Sequence, residues 1–169
     1  MIFNRFARET RRCVVAAVEE ARMLGHDSIG DEDLLLGILR ADEGVAAEAL
    51  SSLGVTLEGA QEESEGMLSE ALSSVGVSLE EVRREAGDAF EMRIPDYRKI
   101  PFSPRAKKVL ERALREAARL RDNHLGTEHV LLRILSNEDG TAVRMLDRMG
   151  VSPEMLEQRL FELRGRAAG

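Results

Sequence analysis

Cysteine occurs once in this chain, at Cys13, so no internal disulfide can form and nothing points to an oxidising compartment. Its setting, among Arg12, Val14 and Val15 in a helical pattern, predicts a buried, unreactive thiol. Tryptophan is missing and aromatic residues make up only 4%, so the core must be built from Leu, Val, Ala, Ile and Met, a set that favours helices. No apolar run is long enough to span a bilayer or to serve as a secretory core, which predicts a cytoplasmic protein without a membrane partner. Positive charge is in deficit, at −7 net, and this argues against a nucleic-acid partner, including a helix-turn-helix reading of DNA. No GxxxxGK[ST], HExxH, CxxC or GxSxG occurs, so the standard phosphate-loop, zinc-hydrolase, redox and serine-hydrolase chemistries are excluded. Period-two alternation is nowhere sustained enough for a strand.

What the chain has in abundance is repetition. LGHDSIG (24–30) returns as LRDNHLG (120–126), ninety-six positions later. The match continues without a gap, Asp31 to Val55 against Thr127 to Val151. Repeats of this kind set the architecture before any residue is given a role. They predict two like helical units packed about a pseudo-twofold axis, with grooves between them suited to recognition. A shorter duplication lies inside the first unit, where ALSSLGVTLE (49–58) recurs as ALSSVGVSLE (71–80). The expected organisation is a single domain over 1–169, with a first repeat at 1–60, a duplicated helical insert and linker at 61–100, and a second repeat at 101–165.

Local signals predict four helices per repeat. Apolar residues spaced by threes and fours place a first helix from about Asn4 to Leu24, its inner face carrying Phe6, Cys13, Val14, Ala17 and Met23 or Leu24. Asp31 is the expected N-cap of a helix over 32–39, and Thr127 that of its counterpart. Val45 to Leu53 forms a third helix and Thr56 caps a fourth. Ser103-Pro104 caps and opens the helix that runs to Leu120. Ser152-Pro153 starts a last helix ending near Leu163, leaving a frayed tail over 165–169. The stretch from Gly87 to Pro101 reads as an irregular linker.

The richest polar constellation is Gly30-Asp31-Glu32-Asp33 with Gly126-Thr127-Glu128-His129. Each marks a helix N-terminus, where free amides and the helix dipole favour anions, and each holds a glutamate beside those amides. The pair could hold a ligand bearing both an anionic and a cationic group, or the acids could simply stabilise their own helices. Of the three histidines, only His124 and His129 could meet near one turn with Glu128, and their spacing is not that of a metal site. No metal and no cofactor are expected.

The doubled pattern, with PFSPRAKKVLERAL (101–114) opening the second unit, resembles the N-terminal domain of Clp ATPases, closest to the ClpC type. The resemblance covers nearly the whole chain apart from the duplicated insert, and implies an all-α, pseudo-twofold fold. It also implies a non-enzymatic module of the Clp proteolysis system that receives substrate or adaptor proteins and Clp unfoldase or protease components. ClpC-type members bind phosphorylated arginine, and the resemblance carries the guanidinium-gripping glutamates onto Glu32 and Glu128. The second motif, Gly126-Thr127-Glu128-His129, is intact; the first departs from it at Asp31 and Asp33, whose charge should weaken a phosphate there. The resemblance further places Phe3, Arg11, Phe102, Lys107 and Glu111 in a groove between repeats that accepts adaptors or cyclic-peptide antibiotics, although Lys107 and Glu111 are also spaced to pair with each other. The altered motif and the duplication point to a free-standing Clp N-domain protein. The alternatives are a decoy that sequesters Clp-targeting peptides and a phosphoarginine hydrolase using Glu128 and His129 as acid–base partners.

Overall fold

The computed structural model describes residues 5–92 and 100–168, and within them the chain forms nine helices and no strand longer than an isolated bridge. They are α1 (Arg8–Met23), α2 (Asp31–Ala41), α3 (Val45–Ser52), α4 (Leu57–Ser73), α5 (Leu79–Met92), α6 (Pro104–Arg119), α7 (Thr127–Leu135), α8 (Thr141–Arg148) and α9 (Pro153–Ala168). Helices α1–α4 and α6–α9 are the two repeats, and α5 is the additional helix. The all-α, duplicated architecture is therefore as the sequence implies.

Several boundaries move for identifiable reasons. The first helix begins at Arg8 because Phe6, 2% exposed, is drawn into a parallel bridge with Leu125 of the other repeat. Of the two candidates for the last inner position, Leu24 packs against the core and Met23 is 61% exposed. Helix α5 continues through Gly87 to Met92, so the start of the expected linker is helical, while 93–99 lie outside the described residues. Helix α9 runs past Gly165 to Ala168, where a frayed tail was expected.

The repeats are tied by backbone hydrogen bonds that obey the pseudo-twofold closely. Ala7 N–H donates to Leu125 O at 2.9 Å, and its counterpart Ser103 N–H donates to Ile29 O at 2.9 Å. Leu125 N–H donates to Arg5 O at 2.7 Å, matched by Ile29 N–H to Pro101 O at 2.8 Å. These short bridges set the N-terminus of α1 beside that of α7, and the N-terminus of α6 beside that of α2. One core runs through both units, with Leu35, Leu36, Ile38, Leu50, Leu131, Ile134, Met145, Leu146 and Leu156 wholly buried. Cys13 belongs to this core; burial, then Glu43 and Glu9, push its thiol up to about 12, so it stays protonated.

The shorter duplication reproduces a turn. Val55 N–H donates to Leu50 O at 3.0 Å around Gly54, and Val77 N–H donates to Leu72 O at 2.9 Å around Gly76, both glycines at positive φ. The turn before α9 repeats it a third time, with Val151 N–H to Leu146 O at 2.9 Å and Gly150 at φ 78°. In the first and third copies the valine after the glycine is buried, whereas its counterpart in the copy between α4 and α5, Val77, is only half-buried, and Val75 before that glycine is 73% exposed. Arg148 fastens the outer half of α4 to α8, reaching Glu63 at 2.8 Å and Glu70 at 2.7 Å.

Candidate functional site

Neither Asp31 nor Thr127 caps its own helix. The N-caps of α2 and α7 are Gly30 and Gly126, and the two polar side chains, 2% and 1% exposed, turn into the other repeat. Asp31 Oδ2 accepts from Ala142 N–H at 3.2 Å in the first turn of α8, and Thr127 Oγ1 accepts from Ala46 N–H at 3.2 Å in the first turn of α3. Each is thus a helix cap supplied from across the pseudo-twofold. The approach needs glycine at the receiving terminus. A Cβ on Gly140 would lie 2.6 Å from Asp31 Oδ2, and one on Gly44 would lie 2.6 Å from Thr127 Oγ1.

Asp33 and His129 also do the same job with different chemistry. Gly30 N–H donates to Asp33 Oδ2 at 2.9 Å, and Gly126 N–H donates to His129 Nδ1 at 2.8 Å. An accepting Nδ1 fixes the His129 proton on Nε2, which faces Asp122 Oδ2 at 2.8 Å. In the first repeat the pair is reversed: His26 Nδ1 lies 3.0 Å from Asp33, and His26 is the positional counterpart of Asp122. The departure at Asp33 is therefore one half of a swapped histidine–aspartate pair. Hydrogen bonding to Asp33 raises the pKa of His26. Although burial acts the other way, hydrogen bonds from His129 and Arg164 hold Asp122 below the usual carboxylate range, with Arg164 at 2.8 Å. The swap was visible in the sequence at the repeat offset; Arg164, thirty-five residues from His129, was not.

The two glutamates remain at the mouths of these termini. Both are half-buried, and their carboxylates fold back over the N-cap glycines: an ideal Cβ on Gly30 or Gly126 would meet Glu32 Oε2 or Glu128 Oε2 at 2.4 Å. Burial, then Asp33 and Asp31, push Glu32 up to about 7. Donor atoms of His26, Glu32 and Asp33 lie within 4.8 Å of one another, yet the Asp33 oxygens already accept from Gly30 and His26. His124 is exposed and stands apart from the buried His129 in environment.

The neighbouring helix end differs between the two sites. Beside Glu32, α6 is closed by Ser103, whose Oγ accepts from Ala106 N–H at 3.1 Å. Beside Glu128, the N-cap of α1 is Ala7, whose side chain offers its amides no acceptor. The Glu128 site therefore faces two helix N-termini, one of them with an alanine at its N-cap.

Of the expected groove residues, Phe3 lies outside the described residues. Phe102 is half-buried against the core, and Arg11, Lys107 and Glu111 are exposed on α1 and α6. Lys107 and Glu111 make no ion pair with each other.

Comparison with known proteins gives the chain a family. The model of the Clp repeat N-terminal domain matches residues 5–70, 57–149 and 102–168, and the chain belongs to that family. It is 37% identical over 164 residues to an ATP-dependent Clp protease ATP-binding subunit ClpA homolog of Cyanidium caldarium, covering 97% of this chain and 17% of that one. It is 36% identical over 165 residues to the negative regulator of genetic competence ClpC/MecB of Bacillus subtilis, covering 98% and 18%. The chain thus spans less than a fifth of either relative. In fold it is similar to the N-terminal domain of the chaperone ClpD from Arabidopsis thaliana, with a TM-score of 0.70, 22% identity, and 95% and 97% of the two chains covered. No helix among the described residues is long and apolar enough to cross a membrane.

Proposed function

We propose that this chain is a binding module of a Clp-type proteolysis system that engages substrate or adaptor proteins, with phosphorylated arginine as the ligand of the Glu128 site. The observation that carries the reading is the pairing, at one mouth, of a helix N-terminus whose N-cap is an alanine with a glutamate that already covers the neighbouring one. In the resting site Glu128 lies over Gly126, where an anion would bind. An incoming phosphoryl group takes that place through the amides of α7 and α1. The displaced carboxylate then meets the guanidinium in a charge-assisted contact. Gly126 allows the approach, while Thr127 and His129, both buried, hold the frame and do not touch the ligand.

The Glu32 site is the weaker of the two. Ser103 caps the adjoining helix, and a carboxylate pushed up to about 7 is partly protonated at neutral pH, so it grips a cation poorly. The hydrolase alternative has little to stand on, because both ring nitrogens of His129 are engaged, by Gly126 and by Asp122. Phe102, Arg11, Lys107 and Glu111, with Phe3, are retained as the docking groove for adaptors, unfoldase segments or cyclic peptides; a decoy role would use the same groove.

Calorimetric titration with free phosphoarginine, against unmodified arginine, tests the proposal. The expected result is saturable binding near one equivalent with no phosphate released. Absence of heat would reject phosphoarginine and leave the groove as the recognition surface; steady phosphate release would favour the hydrolase.

A further inference from the structure

Each repeat has a groove between its first and second helices, and the two grooves are pseudo-twofold images with different electrostatics. In the first, between α1 and α2, cations and acids are balanced. Arg12 pairs with Glu43, and Arg40 lies 3.3 Å from Glu19 and 3.1 Å from Glu20. At the repeat offset, Arg12 becomes Lys108, Ala16 becomes Arg112 and Glu19 becomes Arg115. The second groove, between α6 and α7, holds a cavity of about 300 Å³ walled by Arg105, Lys108, Arg112 and Arg133, with Ser136 and Asn137 at its floor and no acidic residue in its lining.

The charges of this wall are largely uncompensated. Arg133 donates to Glu116 at 2.6 Å, but its Nε is buried without an acceptor. Arg105 reaches only a backbone carbonyl, that of Asp139, at 3.3 Å. Lys108 and Arg112 are exposed and have no ion-pair partner among the described residues. The C-terminal carbonyls of α7 can satisfy one cation near Arg133, not three more on the facing helix. Arg105, Lys108 and Arg112, with an Arg133 that Glu116 matches only at one side, repel one another on a concave surface unless an anion joins them, and they do so in a protein of net charge −7. A single carboxylate is satisfied by one guanidinium fork. Several forks and an ammonium around a side-chain-sized cavity match a compact dianion with three acceptor oxygens.

The geometry points to a phosphoryl-binding pocket between α6 and α7, suited to a phosphate monoester without an attached cation. It lies at the C-terminal end of α7, away from the helix-terminus site, and does not depend on the phosphoarginine reading. The shared chemistry admits two sources, free phosphate and a phosphorylated side chain of a partner protein.

The test is calorimetry of the whole chain with a phosphoserine peptide, its unphosphorylated form and inorganic phosphate. We expect saturable binding of the phosphoserine peptide, weakened about tenfold or more in Lys108→Ala/Arg112→Ala. The second of these substitutions installs the residue that the first repeat carries at Ala16. Arg12→Ala, the counterpart in the balanced groove, should bind like the parent, and circular dichroism should show all variants folded. Tighter binding of the peptide than of inorganic phosphate would identify a protein-borne group; equal binding would identify the free ion. No binding by either probe, equal binding of the unphosphorylated peptide, or undiminished binding by the double variant would overturn the inference. Phosphoarginine affinity measured on the same double variant separates the two sites, since it should not change.

Discussion

The residue with the most consequential environment is Glu32. Burial and its neighbours Asp33 and Asp31 push its carboxyl up to about 7, whereas the unfolded chain titrates it near the ordinary glutamate value of 4.5. The folded state therefore holds the extra proton between those values, and stability falls as pH rises through that window. Glu32→Gln removes the ionisation and should raise the melting temperature at pH 8 relative to the parent. After solvent screening the gain is about 1 kcal/mol, or roughly 2–4 °C for a chain of this size, with little difference at pH 4. Thermal melts at the two pH values decide it; an equal shift at both would mean the charge is not the cause. His26 works in the same direction over a higher range. Its pKa is raised by Asp33, so its contribution is complete below about 6.5 and declines as pH climbs past the folded value.

Helices are tied together here by side chains that cap across the pseudo-twofold. Asp31 closes α8 and Thr127 closes α3, so either loss leaves a buried amide of the other repeat without its acceptor. Asp31→Ala and Thr127→Ala should each cost about 1–2 kcal/mol, read as a shift in the urea midpoint without a change in slope. Asp31→Asn, which keeps an acceptor, should recover most of that loss. Helix α5 is the opposite case. None of its residues from Leu79 to Glu85 is buried, and its packing is against α4. Its amides should exchange with solvent faster than those of any helix in the two repeats, in a hydrogen-exchange time course. Protection of α5 equal to that of α2 would show that something in the isolated chain covers it.

At the scale of the whole molecule, the duplication was the legible part. A ninety-six-residue offset announced two like units, and the bridges at Phe6 and Ile29 repeat it atom by atom. What could not be read was direction. Asp31 and Thr127 look like caps of the helices they begin, and only the packing of the repeats reveals that they serve helices 111 and 81 positions away. Asp33 looked like added negative charge at an anion site. Its buried partnership with Gly30 and His26 shows that it replaces a histidine whose own aspartate sits at the other end of a swapped pair. The second-repeat motif was legible, but its surroundings were not: the start of α1, with Ala7 at its N-cap, is brought beside Glu128 by contacts 119 positions apart in the chain.

On the proposed reading the two mouths are unequal, with Glu128 at the working one. The most direct measurement is phosphoarginine affinity for the parent, Glu128→Ala and Glu32→Ala, by calorimetry at pH 7.5 and fixed salt. The expected result is a loss of about tenfold or more for Glu128→Ala, the proposed partner of the guanidinium, and less than about threefold for Glu32→Ala. Equal losses at the two positions, or a larger one at Glu32, would contradict it.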